Sequence, residues 1–411
     1  MNPQSAAIPS DWQVKTLAEL GSEITSGSRG WAAYYANSGS LFVRITNLDR
    51  SDIHLDLSSS RFVKIYPNDA EAQRTRLATG DLLVSITADI GIIGYIDDQV
   101  PTPAYINQHI ARVRMDPRLV DSRFVAYYLA SWEPQRRFVG STDTGAKAGM
   151  NLSTVAALPT VVPPLAEQSR IADALTDVDD LIAAMERMIT KKETIKKGSI
   201  QQLLTGKTRL PGFVDHWRTV RLGDHLKRPP RYGLNAPAVP NTADTYTYIR
   251  ITDIDDHGNF SPHPRVGVRH ANSVYCILRE GELVFARTGA SVGKSYLYDS
   301  DDGELVYAGF LINIAPDSAT LSPEYLNLVT QTAHYWDWVA RTSVRSGQPG
   351  INGREYAQFQ FTLPEIREQR AIVAAVKDIN LEIRLLRRRL IKAKAVKHGM
   401  MQQLLTGHTR L

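Results

Sequence analysis

Six residues written twice constrain this chain more than any other feature. Gln201-Gln202-Leu203-Leu204-Thr205-Gly206 returns, 201 positions later, as Gln402-Gln403-Leu404-Leu405-Thr406-Gly407. The same offset aligns Glu167-Gln168 with Glu368-Gln369, Ile171 with Ile372, and Thr208-Arg209-Leu210 with Thr409-Arg410-Leu411. Further upstream it aligns Gly80-Asp81-Leu82-Leu83-Val84 with Gly281-Glu282-Leu283-Val284-Phe285, Gly149-Met150-Asn151 with Gly350-Ile351-Asn352, and Pro163 with Pro364. Val43-Arg44-Ile45-Thr46-Asn47 matches Ile249-Arg250-Ile251-Thr252-Asp253 at an offset of 206, so a loop differs in length between the copies. Trp12 and Leu17 correspond to Trp217 and Leu222. The chain is one long unit written twice, which argues against a solenoid, because stacked arrays use short repeats of about 20–50 residues and usually more than two of them.

Each copy has two parts. Residues 1–160 and 211–361 mix short Val-, Ile- and Tyr-rich runs with Gly, Pro, Asn and Asp punctuation, the pattern of strands and turns with some helix, as at Arg123 to Ser131. Residues 161–210 and 362–411 are expected to be helical, over about 165–205 and 366–406. In the first, Ile171, Leu175, Val178, Ile182, Met185 and Ile189 alternate spacings of four and three; Ile372, Val376, Ile379, Ile383, Leu386, Leu390 and Ala393 repeat this in the second. Prolines (Pro163-Pro164, Pro364) precede these stretches and glycines (Gly206, Gly407) follow them, as helix boundaries favour. So narrow a seam suits helices that pair with one another. The expected fold class is therefore α+β: two similar mixed domains, each followed by a long helix, with the helices pairing as an antiparallel coiled coil around a pseudo-twofold repeat. At 1.5 Å per residue, about 40 helical residues span roughly 60 Å, so the helix pair is a spacing device with one domain at each end.

Composition limits the chemistry. Lys and Arg total 48 against 43 Asp and Glu, a formal net charge of +5 that is compatible with a polyanionic partner without establishing one. The single cysteine, Cys276, excludes an internal disulfide and a Cys-based zinc site, and reads as a small buried residue. No pair of histidines has the spacing and acidic partner of a zinc-hydrolase helix, so no metal is expected. The first twelve residues lack the basic start and apolar stretch of a signal peptide, and no run of about 18 apolar residues occurs, so a soluble, cytoplasmic protein is expected. An amino-methyltransferase motif of Asn/Asp-Pro-Pro-aromatic type is missing: Pro163-Pro164 leads into Leu165 and Pro229-Pro230 into Arg231. Gly289 to Ser295 resembles a phosphate loop but is one residue short of that spacing, and the matching Thr87 to Gly94 has no Gly-Lys, so it reads as a turn.

The order of two domains and two helices resembles the specificity subunits of type I restriction–modification enzymes. So do Pro163-Pro164-Leu165-Ala166-Glu167-Gln168 and Pro364-Glu365-Ile366-Arg367-Glu368-Gln369 opening the helices, the Gln-Gln-Leu-Leu-Thr-Gly tails, Gly80 to Val84, and Thr288 to Lys294. The resemblance covers essentially the whole chain. It implies a non-catalytic subunit that binds double-stranded DNA at a bipartite site, two specific halves with a fixed gap, and directs adenine-N6 methylation and restriction by other chains. The implied partners are two methylating subunits and nuclease-translocase subunits, with no membrane. The implied cofactors lie outside this chain: S-adenosylmethionine in the methylating subunit, and ATP and Mg in the nuclease-translocase subunit. The alternatives are a two-domain scaffold that touches no DNA, and the specificity subunit of a related system with a fused methylase–nuclease.

The repeat also sorts residues. Two domains that read different half-sites cannot carry that difference in residues they share. Arg44/Arg250, Thr46/Thr252, Gly80/Gly281 and Asn151/Asn352 are thus expected to be scaffold or phosphate contacts, and base readers to lie where the copies diverge. In the first domain these are Ser28 and Arg29, Trp31, Tyr34, Arg136, Arg137 and Lys147. In the second they are Arg231, Tyr232, Asn235, Lys294, Arg341, Arg345 and Gln348. Arg and Lys donate to guanine O6 and N7, and Asn and Gln pair with adenine N6 and N7 in the major groove. The ordinary alternative is a solvated surface residue, or, for Trp31 and Tyr34, a core aromatic. On the last helix, Arg384, Arg387, Arg388, Arg389, Lys392, Lys394 and Lys397 form a basic run without acids, either the solvated face of the coiled coil or a contact to spacer DNA or an acidic partner.

Overall fold

The computed structural model describes residues 8–27, 29–65, 69–140, 149–345 and 347–411, without the side chains at 32, 137, 139 and 140. The chain divides into two compact units, Met1–Glu186 with Arg388–Leu411, and Arg187–Arg387. The long helices are Leu165–Leu204 and Ile366–Leu404, and each contributes to both units.

Both units contain the same sheets in the same order. In the first, Gln13–Thr16 pairs antiparallel with Pro159–Val162. A four-stranded antiparallel sheet runs Glu23–Ser26, Ile110–Arg114, Leu82–Ser85, Ile93–Tyr95. A second sheet runs Tyr35–Ala36, Phe62–Val63, Ser40–Val43, Ala104–Ile106, its last pair parallel. In the second unit, Arg218–Arg221 pairs with Gln360–Leu363; Arg231–Tyr232, Leu311–Ile314, Leu283–Ala286 and Ser295–Leu297 form one sheet. Val239–Pro240, Val266–Val268, Tyr246–Ile249 and Leu305–Tyr307 form the other, again with one parallel pair. Leu82–Ser85 and Leu283–Ala286 are buried along their whole length, which is why they read as unbroken apolar runs.

The repeated motifs turn out to be joints. Glu167, nearly buried, accepts from the Trp12 indole N–H at 3.2 Å and from Arg410 Nε and Nη2 at 2.5 and 2.7 Å. Glu368 does the same with Trp217 at 3.0 Å and Arg209 at 2.6 and 2.8 Å. A forked guanidinium and an indole thus supply the hydrogen bonds that a carboxylate loses on removal from water. The carboxylates in turn hold Arg209 and Arg410 above their ordinary range. Gln168 accepts from Asp121 N and donates to Pro163 O; Gln369 accepts from Ser322 N and donates to Pro364 O, pinning each helix start to its own domain. Gly206 and Gly407 end the helices at φ of +67° and +75°, and a Cβ at Gly407 would lie 2.5 Å from Pro9.

The helices run antiparallel within each unit. In the first, Lys394 pairs with Glu186 at 2.7 Å and Lys397 with Asp179 at 2.5 Å; in the second, Arg387 pairs with Glu193 at 2.6 Å and Lys192 with Glu382 at 2.5 Å. Three residues of the basic run are therefore spent on acids of the other helix, while Arg384, Arg388, Arg389 and Lys392 are exposed and have no ion pair among the described residues. Ile171, Leu175, Ile182, Ile189, Ile372, Val376 and Ile383 are buried, as the seam predicts. Among the described residues, no helix is long and apolar enough to cross a membrane.

Candidate nucleic-acid interface

One set of loops in each unit is built on a shared backbone frame. Gly27 N donates to Ile110 O and Gly233 N to Leu311 O, at 3.2 and 3.1 Å. A Cβ at Gly27 would lie 2.1 Å from Asn107 O, and one at Gly233 2.2 Å from Ala308 O, so only glycine lets these backbones approach. Ile86 N donates to His109 O and Arg287 N to Phe310 O, at 2.9 and 3.0 Å; Met150 N donates to Ile86 O and Ile351 N to Arg287 O, at 2.8 and 2.9 Å. Thr87 bridges Gly149, and Thr288 bridges Gly350. Ala88 takes the left-handed conformation (φ +61°) that Gly289 adopts at +72°.

On this frame the side chains differ. In the first unit Thr87 Oγ1 lies 2.5 Å from His109 Nδ1, Gln108 Nε2 lies 3.4 Å from His109 Nε2, and Ile86 is buried. In the second, the Arg287 guanidinium lies over the Tyr232 ring, 4.9 Å from its centre, and Phe310 is 58% exposed. Gly309 N donates to Leu234 O at 2.7 Å, which brings Phe310 beside Asn235. Gly289 N donates to Pro349 O at 3.1 Å, bringing Gln348 to the same edge. The arrangement offers donors, acceptors and flat rings at a loop edge, the chemistry that reads base edges.

The predicted readers fall into distinct groups. Tyr232, Asn235 and Gln348 lie at the second unit's loop edge, whereas Arg231, beside Tyr232 in the strand, and Arg29, two residues beyond Gly27 in the first unit, are exposed. Others are engaged elsewhere: Lys294 pairs with Asp256 at 2.7 Å, Arg345 makes a fork to Glu355 at 2.6 and 2.7 Å, and Arg136 lies over Trp132. Tyr34 and Arg341 are exposed, with nothing tying them to the loop frame. Trp31 requires a correction. It is only 4% exposed, packed on Phe42 and Tyr105, so it is the core aromatic and not a ring available to a base. Ser28, Lys147 and the Arg137 side chain lie outside the described residues. Of the shared residues, Asn151 and Asn352 cap short helices through Thr154 N and Glu355 N, and Arg250 is held by Asp253, which makes them scaffold. Gly289–Ser291 is a single 3-10 turn leading into strand Ser295–Leu297, with no α-helix there for a phosphate to cap.

Sequence reasoning missed Thr87, Gln108, His109, Arg287 and Phe310. The signal was present: at the 201-residue offset Ile86 faces Arg287 and His109 faces Phe310, divergent positions inside an otherwise matched segment.

Among the described residues, the one group of possible metal ligands is Asp52, His54 and Asp179, in the first unit. The Lys397 ammonium already supplies its cation, 2.5 Å from Asp179 and 3.6 Å from Asp52. Tyr127 donates to Asp179 at 2.7 Å, and His54 Nδ1 lies 2.9 Å from Asp97. That hydrogen bond, with Asp52 and Asp179 nearby, holds His54 above its usual range against the opposing effect of burial, and holds Asp97 below its own.

Comparisons with known proteins agree with the repeat. Residues 9–197 match the family model described as the type I restriction modification DNA specificity domain. A Methanocaldococcus jannaschii chain assigned as the specificity subunit of the type I restriction enzyme MjaX is 21% identical over 422 residues, covering 98% of this chain and 95% of that one. The specificity subunit of the type I restriction enzyme EcoBI from Escherichia coli is 23% identical, over 73% of this chain and 66% of its own length. The crystal structure of a type I S subunit from M. genitalium superimposes with a TM-score of 0.58 at 12% identity, covering 98% of this chain and 97% of that one. A chain from a type I R-M system studied for its assembly and conformational transition gives 0.58 at 17%, over 97% and 98%. Residues 9–197 thus match the type I DNA specificity domain, and the chain is similar over nearly its whole length to type I restriction–modification specificity subunits, whose solved structures share its fold.

Proposed function

We propose that the chain reads a bipartite double-stranded DNA site, one half with the loop edge of each unit, and directs partner subunits to it. The observation that carries this is one backbone frame displaying different side chains at matching positions: Ile86, Gln108 and His109 in one unit, Arg287, Gly309 and Phe310 in the other. A shared frame positions, and divergent side chains specify. On this proposal the bases between the two halves go unread.

The chain itself carries out no chemistry on this proposal. Two methylating subunits with S-adenosylmethionine methylate adenine N6, and nuclease-translocase subunits with ATP and Mg cut, all in the cytoplasm. The exposed cations Arg384, Arg388, Arg389 and Lys392 suit a polyanion or an acidic partner surface.

The test is base-resolution mapping of N6-methyladenine in a methylation-free host expressing this chain with its methylating subunit, and each alone as controls. Methylation at a single split motif, only with both present, is the expected result. No methylation from a complex shown to assemble would favour a scaffold that touches no DNA.

A further inference from the structure

Arg287 differs from the carboxylate-bound arginines of its unit. Arg228, Arg250, Arg269 and Arg345 are each spent on a carboxylate. Arg287 is half-buried and forms no ion pair among the described residues, and its Nε is buried without a hydrogen-bond partner. A buried guanidinium N–H without an acceptor is costly, and such a group in a folded protein calls for a reason. Its plane is set by the Tyr232 ring, and that ring is set by its hydroxyl, which accepts from Gly353 N at 3.2 Å. The guanidinium therefore has little freedom left to lose on binding, and its donors stay together as a fork.

A fixed fork matches a planar pair of acceptors. In DNA the choices are two phosphate oxygens, or guanine O6 and N7 in the major groove. The repeat separates them. A contact to the uniform phosphate backbone is useful to both readers and belongs at shared positions. The position of Arg287 is not shared: the same backbone hydrogen bonds in the first unit surround Ile86, which is buried and apolar. Arg287 also stands at the end of Leu283–Ala286, hydrogen-bonded through its backbone to exposed Phe310, in the loop set whose side chains diverge.

Resting on the DNA-reading role above, we propose that Arg287 is a specificity-determining residue that reads one guanine of the second half-site through O6 and N7, with Tyr232 as its positioning partner. The first half-site has no equivalent contact, because Ile86 stands there.

The test compares methylation maps of the intact complex carrying wild-type chain, Arg287→Ala and Arg287→Gln, with hydrogen exchange of each chain as the folding control. In the wild-type map the second half contains a guanine. Arg287→Ala relaxes that one position, lowering its discrimination by about tenfold to a hundredfold, the range for a forked arginine–guanine contact, and leaves the first half unchanged. Arg287→Gln keeps a polar side chain of similar length and moves the preference at that position toward adenine. Uniformly weaker methylation with an unchanged motif, and a salt dependence of binding reduced by about one charge, would make Arg287 a phosphate contact and overturn the proposal. An unchanged map for both variants would reduce the guanidinium to packing on Tyr232. A wild-type complex that assembles but methylates no split motif removes the DNA-reading role itself, and this proposal with it.

Discussion

The helix seam is built differently in the two units, although its positions correspond one to one. In the first, Asp179 (6% exposed) faces Lys397 at 2.5 Å, with Tyr127 donating to the carboxylate and Asp52 and His54 close by. At the matching positions the second unit has Asn380, Lys196 and Leu328. Lys196 has no ion pair among the described residues, and burial pushes its ammonium below the usual lysine range; the nearby Arg387 adds to this and Glu193 partly offsets it. One unit holds a saturated ionic cluster in its seam, and the other holds an amide, an aliphatic residue and a half-solvated lysine. Buried ion pairs add little net stability over apolar packing but are expensive to break. The first unit is thus the more sensitive to single changes without being the more stable.

The largest expected effect follows directly. Asp179→Ala strands Lys397 among fewer counter-charges and should cost the first unit about 3–5 kcal/mol, whereas Asn380→Ala should cost the second about 1 kcal/mol or less. Hydrogen exchange resolved along the sequence measures both; equal losses would erase the contrast. The double change Asp179→Leu with Lys397→Met should recover to within about 1 kcal/mol of wild type, because removing both charges leaves no orphan. Losses that simply add would mean that the pair is net stabilising.

The latches make the opposite comparison. Glu167 with Trp12 and Arg410, and Glu368 with Trp217 and Arg209, have the same geometry. Arg410→Ala and Arg209→Ala should therefore weaken their own units alike, as read by the midpoint of denaturant unfolding. A clearly larger loss for Arg410→Ala would show that Asp11, which also binds Arg410 at 2.7 and 3.1 Å, matters more than its exposure suggests.

A smaller effect is pH dependence. His54 is held above its unfolded value near 6.5, so its contribution is complete below about 6.5 and lost as pH rises through the higher folded value. Asp97 is held below its unfolded value near 3.9, so its contribution is present above about 3.9 and lost as pH falls through the lower folded value. Exchange protection around His54 should slacken as pH rises above about 6.5 and through the folded value, and His54→Gln should flatten that change. A slope that survives the substitution would assign it to another group.

Much of this was legible in the sequence, for physical reasons. A seam of apolar residues four and three apart has few other ways to be buried, so the helix boundaries came within two residues of those observed. Repeated motifs forced a repeated fold. The buried charges were not legible: Lys397 looked like one more cation in a basic run, and nothing local to Asp179 announces a partner more than two hundred residues away. Nor was the pairing of Lys294 with Asp256. Residue type chose Lys294 as a reader, whereas its partner makes it a brace. Arg287 was passed over for the converse reason, since its significance lies in lacking a partner.

The central claim is that two units share one frame and each reads its own half of the site. Replacing residues 211–361 with the corresponding domain of a relative, and mapping N6-methyladenine with the same methylating subunit, tests it most directly. The expected outcome is a split motif in which one half changes while the other half and its adenine stay as they were. Change in both halves would contradict the account, because it would mean that the units do not read independently.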